Sequence, residues 1–352
     1  MPTLRTCSLW TTVLALLLFA AGCGPSVDDA PPLPTRTEEA MTLLPADARF
    51  AGMLDVQALQ QNGGLSFSSQ RGITVQFLDS DVTFNPLSPE QQNRLQAFIE
   101  ATGFEPGSDL HAAYVASDST QPQAILFAAA YDRDRLPGEL VAQFGARLDT
   151  TSYRDTPIMR LRPGSDDSRL QDGAPLQFAL MRDGWMALSS DTARLRAIID
   201  RSLADRAADA PSMMPLVSAL GGRGGAWMAL RDLPNQRMAQ SADEQRLAQL
   251  ARAVRDAGLA LSFRQDGVDG TILLTTDQDP ADVADVVRGA ISTLKLQSEL
   301  TTEQEDLLDR ITVTEAAGQR VWVTFDVPQE TLARILIQSM RGDQRGALTM
   351  AR

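Results

Sequence analysis

The sequence predicts an α+β protein: two similar units of antiparallel sheet with helices packed on one face, related by internal duplication. Two observations carry this. Short runs of alternating apolar residues and longer runs with apolar residues at spacings of three and four follow the same order in each half. The final strand and helix of each half also match position by position. Trp185, Leu195, Ile198, Ile199 and Ser202 find Trp322, Leu332, Ile335, Leu336 and Ser339 at a constant offset of 137. The opening strands align as Ala51-Gly52-Met53 against Ala226-Trp227-Met228.

The elements of the first unit, 42–220, follow in order. Phe50 to Val56 is a strand. Ser88-Pro89-Glu90-Gln91 is a capping box opening a helix with Leu95, Phe98 and Ile99 on its face. Leu110 to Val115 and Ala124 to Ala130 are paired strands. Leu136, Leu140, Val141 and Phe144 mark a helix. Pro157 to Leu161 is a strand, and Leu176 to Leu188 supplies two, turned at Arg182-Asp183-Gly184. Arg194 to Leu203 closes the unit as a helix.

The second unit, 221–341, opens after Gly221-Gly222-Arg223-Gly224-Gly225 with the strand Ala226 to Leu230. Leu247, Leu250, Ala251 and Val254 predict a helix over Ala242 to Ala257. Leu259 to Phe263 and Thr271 to Thr275 form a hairpin around Gln265-Asp266-Gly267. Asp279 caps a helix with Pro280 at its first position, and Val283, Val286, Val287, Ala290, Ile291 and Leu294 face inward. Thr301 to Gln304 is a capping box. Ile311 to Thr314 and Val321 to Val327 are strands, and Pro328 opens the last helix. Residues 342–352 form a flexible tail.

The first unit carries an insert at about 60–87. Ile73, Val75 and Phe77 alternate, as do Val82 and Phe84 after Asp79-Ser80-Asp81. The pattern predicts a hairpin extending the sheet. The same five residues are also the candidate partner-binding element, because one face of such a hairpin is apolar.

The N-terminus is of another kind. Arg5 precedes a 13-residue apolar run, Leu9 to Ala21. That is too short for a bilayer span, which needs roughly 20 residues, and suits a secretory signal. The run ends in Ala20-Ala21-Gly22-Cys23. This resembles the lipobox of bacterial lipoproteins, although that family prefers Leu at the place of Ala20. The resemblance covers residues 1–23 only. It implies cleavage after residue 22, lipidation of Cys23 and attachment to the cell envelope through the lipid. Gly24 stands where an Asp would signal retention in the inner membrane, so the outer membrane is favoured. Residues 24–40 hold four prolines and four acids without apolar periodicity, and residues 23–41 predict a disordered tether.

Composition limits the chemistry. Lys plus Arg is 32 against 45 Asp plus Glu, a net charge of −13, which argues against nucleic acid as a partner. Lys295 is the only lysine, a feature that points to no site. The two cysteines are Cys7, lost with the signal, and Cys23, so the mature body has no thiol for disulfides, clusters or catalysis. His111 is the one histidine and reads as an ordinary strand residue. Asp79, Asp81, Thr83, Asn85 and Glu90 follow the oxygen spacing of a calcium loop, but Phe84 stands where its sharp turn requires glycine. Gly64-Leu65-Ser66-Phe67-Ser68 lacks the second glycine of a nucleophile elbow, and 221–225 lacks the Lys-Ser/Thr of a phosphate loop.

No catalytic, cofactor or metal residues are therefore assigned. The reading is a lipid-anchored envelope protein that acts by non-covalent binding or as a structural element, with the membrane and an unidentified protein as partners. The alternatives are a carrier of apolar cargo, which needs an apolar cavity of several hundred Å³, and a carboxylate-dependent hydrolase, which needs two acids facing across a cleft.

Overall fold

Strand Phe50–Asp55 pairs on one side with Leu110–Ser117 and on the other with Ala226–Leu230, so the two halves meet inside one sheet. The structure, a computed structural model, describes residues 34–62, 65–68, 72–75, 96, 99–100, 102–117, 124–162, 176–204, 212–220, 225–233, 253–264, 266–296, 300–316 and 318–331. Cys23 and the signal, the residues Phe77, Val82 and Phe84, the calcium-like loop, and Leu332 to Ser339 lie outside the described residues.

In chain order the elements are α1 (Thr35–Leu43), β1 (Phe50–Asp55), α2 (Val56–Asn62), β2 (Leu65–Ser68), β3 (Gly72–Val75), α3 (Pro106–Asp109), β4 (Leu110–Ser117) and β5 (Ala124–Ala129). Then come α4 (Leu136–Phe144), β6 (Leu148–Tyr153), β7 (Thr156–Leu161), β8 (Leu176–Leu180), β9 (Trp185–Ser189), α5 (Thr192–Ser202) and α6 (Met214–Leu220). The second half follows as β10 (Ala226–Leu230), β11 (Val254–Arg264), β12 (Gly267–Thr276), α7 (Pro280–Lys295), α8 (Thr302–Asp309), β13 (Thr312–Ala316) and β14 (Arg320–Pro328).

Twelve strands form one antiparallel sheet in the order β13-β14-β12-β11-β10-β1-β4-β5-β9-β8-β7-β6. Outward from the β1–β10 seam, one half runs β1-β4-β5-β9-β8 and the other β10-β11-β12-β14-β13. Each goes opening strand, second, third, last, penultimate; the first half adds β7 and β6 at its edge.

Strand alternation sorts side chains onto two faces. On one, the register places Ile158, Ala179, Ala187, Leu126, Tyr114, Met53, Trp227 and Ala260 side by side across eight strands. All eight belong to the main core, with Met41 of α1, Leu195, Ile198 and Ile199 of α5, and Val217 and Leu220 of α6. We call this the core face. On the other, Met159, Phe178, Leu188, Ile125, Val115, Gly52, Met228, Leu259, Ile272, Val323 and Val313 run side by side across eleven strands. Helix α4 covers one flank of it, with Leu136 and Leu140 against Met159 and Leu180. Helices α7 and α8 cover the other, through Val283 against Val321 and Leu307 against Val323 and Phe325. Gly270 makes room on this flank, because a Cβ there would overlap the Phe325 ring.

Several sequence expectations change. Two sheets with helices on one face become one shared sheet with helices on both, because the flanking strands are apolar on the second face as well and are covered there by α4 and by α7 and α8. The tether does not extend to residue 41. Thr37, Ala40, Met41 and Leu44 are buried at helical spacing, and Thr35–Leu43 is helical. A tether boundary at residue 40 or 41 cuts that pattern in two. Arg36 lies 5.6 Å from the Trp185 ring centroid, and Arg201 donates to the carbonyls of Leu43 and Leu44 at 3.1 and 2.8 Å, closing the helix end. Val254 to Ala257 are strand rather than helix, because β11 pairs with β12 along its whole length.

The insert's hairpin is Leu65–Ser68 with Gly72–Val75, and it forms its own two-stranded sheet instead of extending the large one. Ile73 and Val75 pair there with Phe67 and Leu65. On α7, Val283 and Ala284 are buried while Val286 and Ala290 stay exposed, so the inward stripe is narrower than predicted. The expected caps are present: Asp279 accepts from Ala281 N at 3.0 Å, and Thr301 and Gln304 form their reciprocal box.

The seam also corrects the opening-strand alignment. Met53 pairs with Trp227 and both sit on the core face, whereas Met228 sits on the opposite one. An offset of 175 exchanges the faces; an offset of 174, Met53 onto Trp227, preserves them.

Candidate functional site

The centre of the second face, between the flanks under α4 and under α7 and α8, is a groove open on one side with a volume of about 300 Å³. Its walls are Phe50, Gly52 and Leu54 of β1, Ala113 and Val115 of β4, Ile125 of β5, Ala226 and Met228 of β10, and Leu259 and Leu261 of β11. Met53, Tyr114 and Trp227 also border it, but alternation directs their side chains to the core face. The Tyr114 phenol, for instance, meets Thr37 Oγ1 at 3.3 Å on that side, and burial raises its pKa.

Gly52 and Ala226 form the floor. They lie diagonally across the seam, Gly52 opposite Met228 and Ala226 opposite Leu54. A Cβ on Gly52 would touch Trp227 O at 3.3 Å and the Phe50 and Val115 side chains at 3.4 Å. The floor strands are interior to the sheet, so their backbone groups are paired with neighbours on both sides. Among the described residues no titratable side chain points into the groove. Leu54 on its wall is 41% exposed, and Val141 of α4 and Val286 of α7 are 43% and 46% exposed. Three of the four large apolar side chains left exposed among the described residues thus belong to elements of this face.

A second depression, shallower and polar, is lined by Arg160, Gln177, Ser190, Asp191, Thr192, Ala193 and Arg196. It lies at the start of α5. Asp191 already caps that helix by accepting from Ala193 N at 2.8 Å, and Gln177 Oε1 accepts from Thr192 Oγ1 at 2.8 Å. Asp191 and Gln177 are thus engaged within the start of the helix and its neighbouring strand.

Acid groups were the remaining route to chemistry. Asp269 has a raised pKa, chiefly through burial, with Arg264 opposing and Asp326 and Asp266 adding. It faces Asp326 across β12–β14, but Arg264 holds it at 2.9 Å and Arg310 holds Asp326 at 2.5 Å. Neither carboxylate lines either depression. His111 lies on β4 where the register with β5 shifts. Lys295 is exposed and pairs with Asp309 at 2.6 Å. Among the described residues no three His, Cys, Asp or Glu are placed to hold a metal ion, and no helix is long and apolar enough to cross a membrane.

The groove residues were not singled out from sequence. Their one local signal is a small residue in each of two apolar strands, Gly52 and Ala226, and that becomes meaningful only when the strands are neighbours.

No family profile matches the chain, and no curated protein matches it. Among solved structures, crystal form I of TP0453 is similar over 88% of this chain and 98% of its own, at 10% identity and a TM-score of 0.40. Crystal form III is similar over 84% and 96%, at 9% identity and 0.44, and form IV over 84% and 95%, at 10% and 0.43. Likeness at this level carries no argument about function.

Proposed function

We propose that this is an envelope protein anchored by lipid on Cys23, whose body binds an apolar ligand non-covalently in the groove over Gly52 and Ala226. One observation carries the binding reading. At the middle of the sheet, where both faces are apolar, one face holds an open trough of about 300 Å³ walled by carbon. That volume is at the lower end for small-molecule pockets. A site of this kind offers burial and shape but no proton donor or nucleophile, which agrees with a carrier or sensor rather than an enzyme.

The body is a duplication, and the groove is its product. Placing the two-fold on the Met53–Trp227 pair carries Gly52 onto Ala226, Leu54 onto Met228, Ala113 onto Leu259 and Val115 onto Leu261. All eight residues line the groove. The site therefore straddles the axis, with each unit supplying half. Association of two such units through their opening strands would create it.

The test is titration of the Cys23→Ser full chain with 1-anilinonaphthalene-8-sulfonate, a compact apolar probe, beside an Ala226→Phe variant that fills the trough. Saturable binding lost in the variant supports the reading. An unchanged response in a variant that still unfolds cooperatively defeats it.

A further inference from the structure

We infer that the groove's ligand is one unbranched alkyl chain, a single-chain fatty acid held with its methylenes over Gly52 and Ala226 and its polar end in solvent. This deepens the reading above and rests on it. The first argument is chemical. Among the described residues the walls contribute Val115, Ile125, Met228, Leu259 and Leu261 and no polar side-chain atom. A ligand with polar groups along its length would lose their water without compensation. An alkyl chain has none to lose.

The second argument separates a chain from a protein partner. A peptide strand binds a sheet by pairing with a free edge. The floor here is mid-sheet, with every strand already paired on both sides.

The third argument is size. An apolar cavity of about 150 Å³ accepts one benzene. A trough of about 300 Å³ therefore holds on the order of ten to twelve carbons. That suits a segment of one chain and excludes the paired chains of a diacyl lipid. Met228, flexible and polarisable, lets the wall follow a chain that bends.

The experiment is competition in detergent-free buffer. The Cys23→Ser full chain is loaded with cis-parinaric acid, a fluorescent linear acyl probe. It is then displaced by saturated fatty acids of about six to about sixteen carbons, each below its micelle concentration. Each buried methylene is worth up to about fourfold in affinity. Affinity should climb by about that factor per carbon, then flatten beyond about ten to twelve carbons when the trough is full. Ala226→Phe should weaken binding about tenfold or more. Gly52→Leu, which adds bulk from the neighbouring strand, should act in the same direction.

If 1-anilinonaphthalene-8-sulfonate binds in an Ala226-dependent way and cis-parinaric acid does not, the groove is a site for compact ligands and the chain assignment fails alone. Affinity that keeps climbing beyond twelve carbons, or is indifferent to Ala226→Phe, also overturns it. If neither probe binds the folded chain, the binding function itself falls.

Discussion

Trp185 and Trp322 stand at the same register position on opposite sides of the seam. Trp185 connects through Ala128 and Ala112 to Asp55, two residues beyond Met53. Trp322 connects through Leu273 and Gly258 to Ala229, two residues beyond Trp227. Both lie on the fourth strand out and on the core face. The offset of 137 seen in sequence thus falls on corresponding register positions on either side of the seam.

Equivalent positions do not imply equal energies. Trp185 is 4% exposed, with the Tyr114 ring at 5.7 Å and Arg36 over it, whereas Trp322 is half-buried at the margin of the core. Trp185→Ala should cost about 3–5 kcal/mol and Trp322→Ala about 1–3 kcal/mol in urea unfolding. Equal losses would contradict the asymmetric packing.

Anchoring is tested through Cys23. Replacement by Ser should move the protein out of the membrane fraction. If the variant remains there as fully as the wild type, another element provides the attachment.

Helix α1 should depend on Arg201. Its guanidinium satisfies the carbonyls of Leu43 and Leu44 at the C-terminal end of the helix. Arg201→Met keeps much of the apolar stem and removes the donors. It should cost about 1.5–3 kcal/mol and speed proteolytic cleavage near residues 35–45. Cleavage there at the wild-type rate would show that burial of Ala40 and Met41 suffices.

Alkaline stability should depend on Tyr131. Its hydroxyl is directed at the carbonyls of Met181 and Trp185, at 2.6 and 2.7 Å, and burial raises its pKa far above the ordinary value. The folded state then keeps a proton that the unfolded chain loses at about pH 10. Its stabilising effect is full below that pH and declines as pH rises further. Tyr131→Phe should lower stability at pH 7 by about 1 kcal/mol and make the decline above about pH 10 shallower. An identical alkaline slope in the variant would place the titration elsewhere, with Tyr114 the next candidate.

Much of the fold is legible from local signals. Period-two runs locate β1, β5, β10 and β12. Asp279 and Thr301 start their helices where capping chemistry places them, and Asp183-Gly184 turns β8 into β9 with positive φ at both residues. The candidate groove was not legible. Gly52 and Ala226 are 174 positions apart, and each alone is a small residue in an apolar strand.

The sequence by itself determined many of the strands, the capped starts of two helices, and the absence of a thiol from the body, because side-chain alternation, capping and composition are properties of a few adjacent residues. Only the tertiary structure decided that the halves share one sheet, that residues 35–43 fold back as a helix onto Trp185, and that two small residues become the floor of one trough. These depend on which strands become neighbours. That choice is made by burial summed over distant segments, and no short stretch of chain encodes it alone.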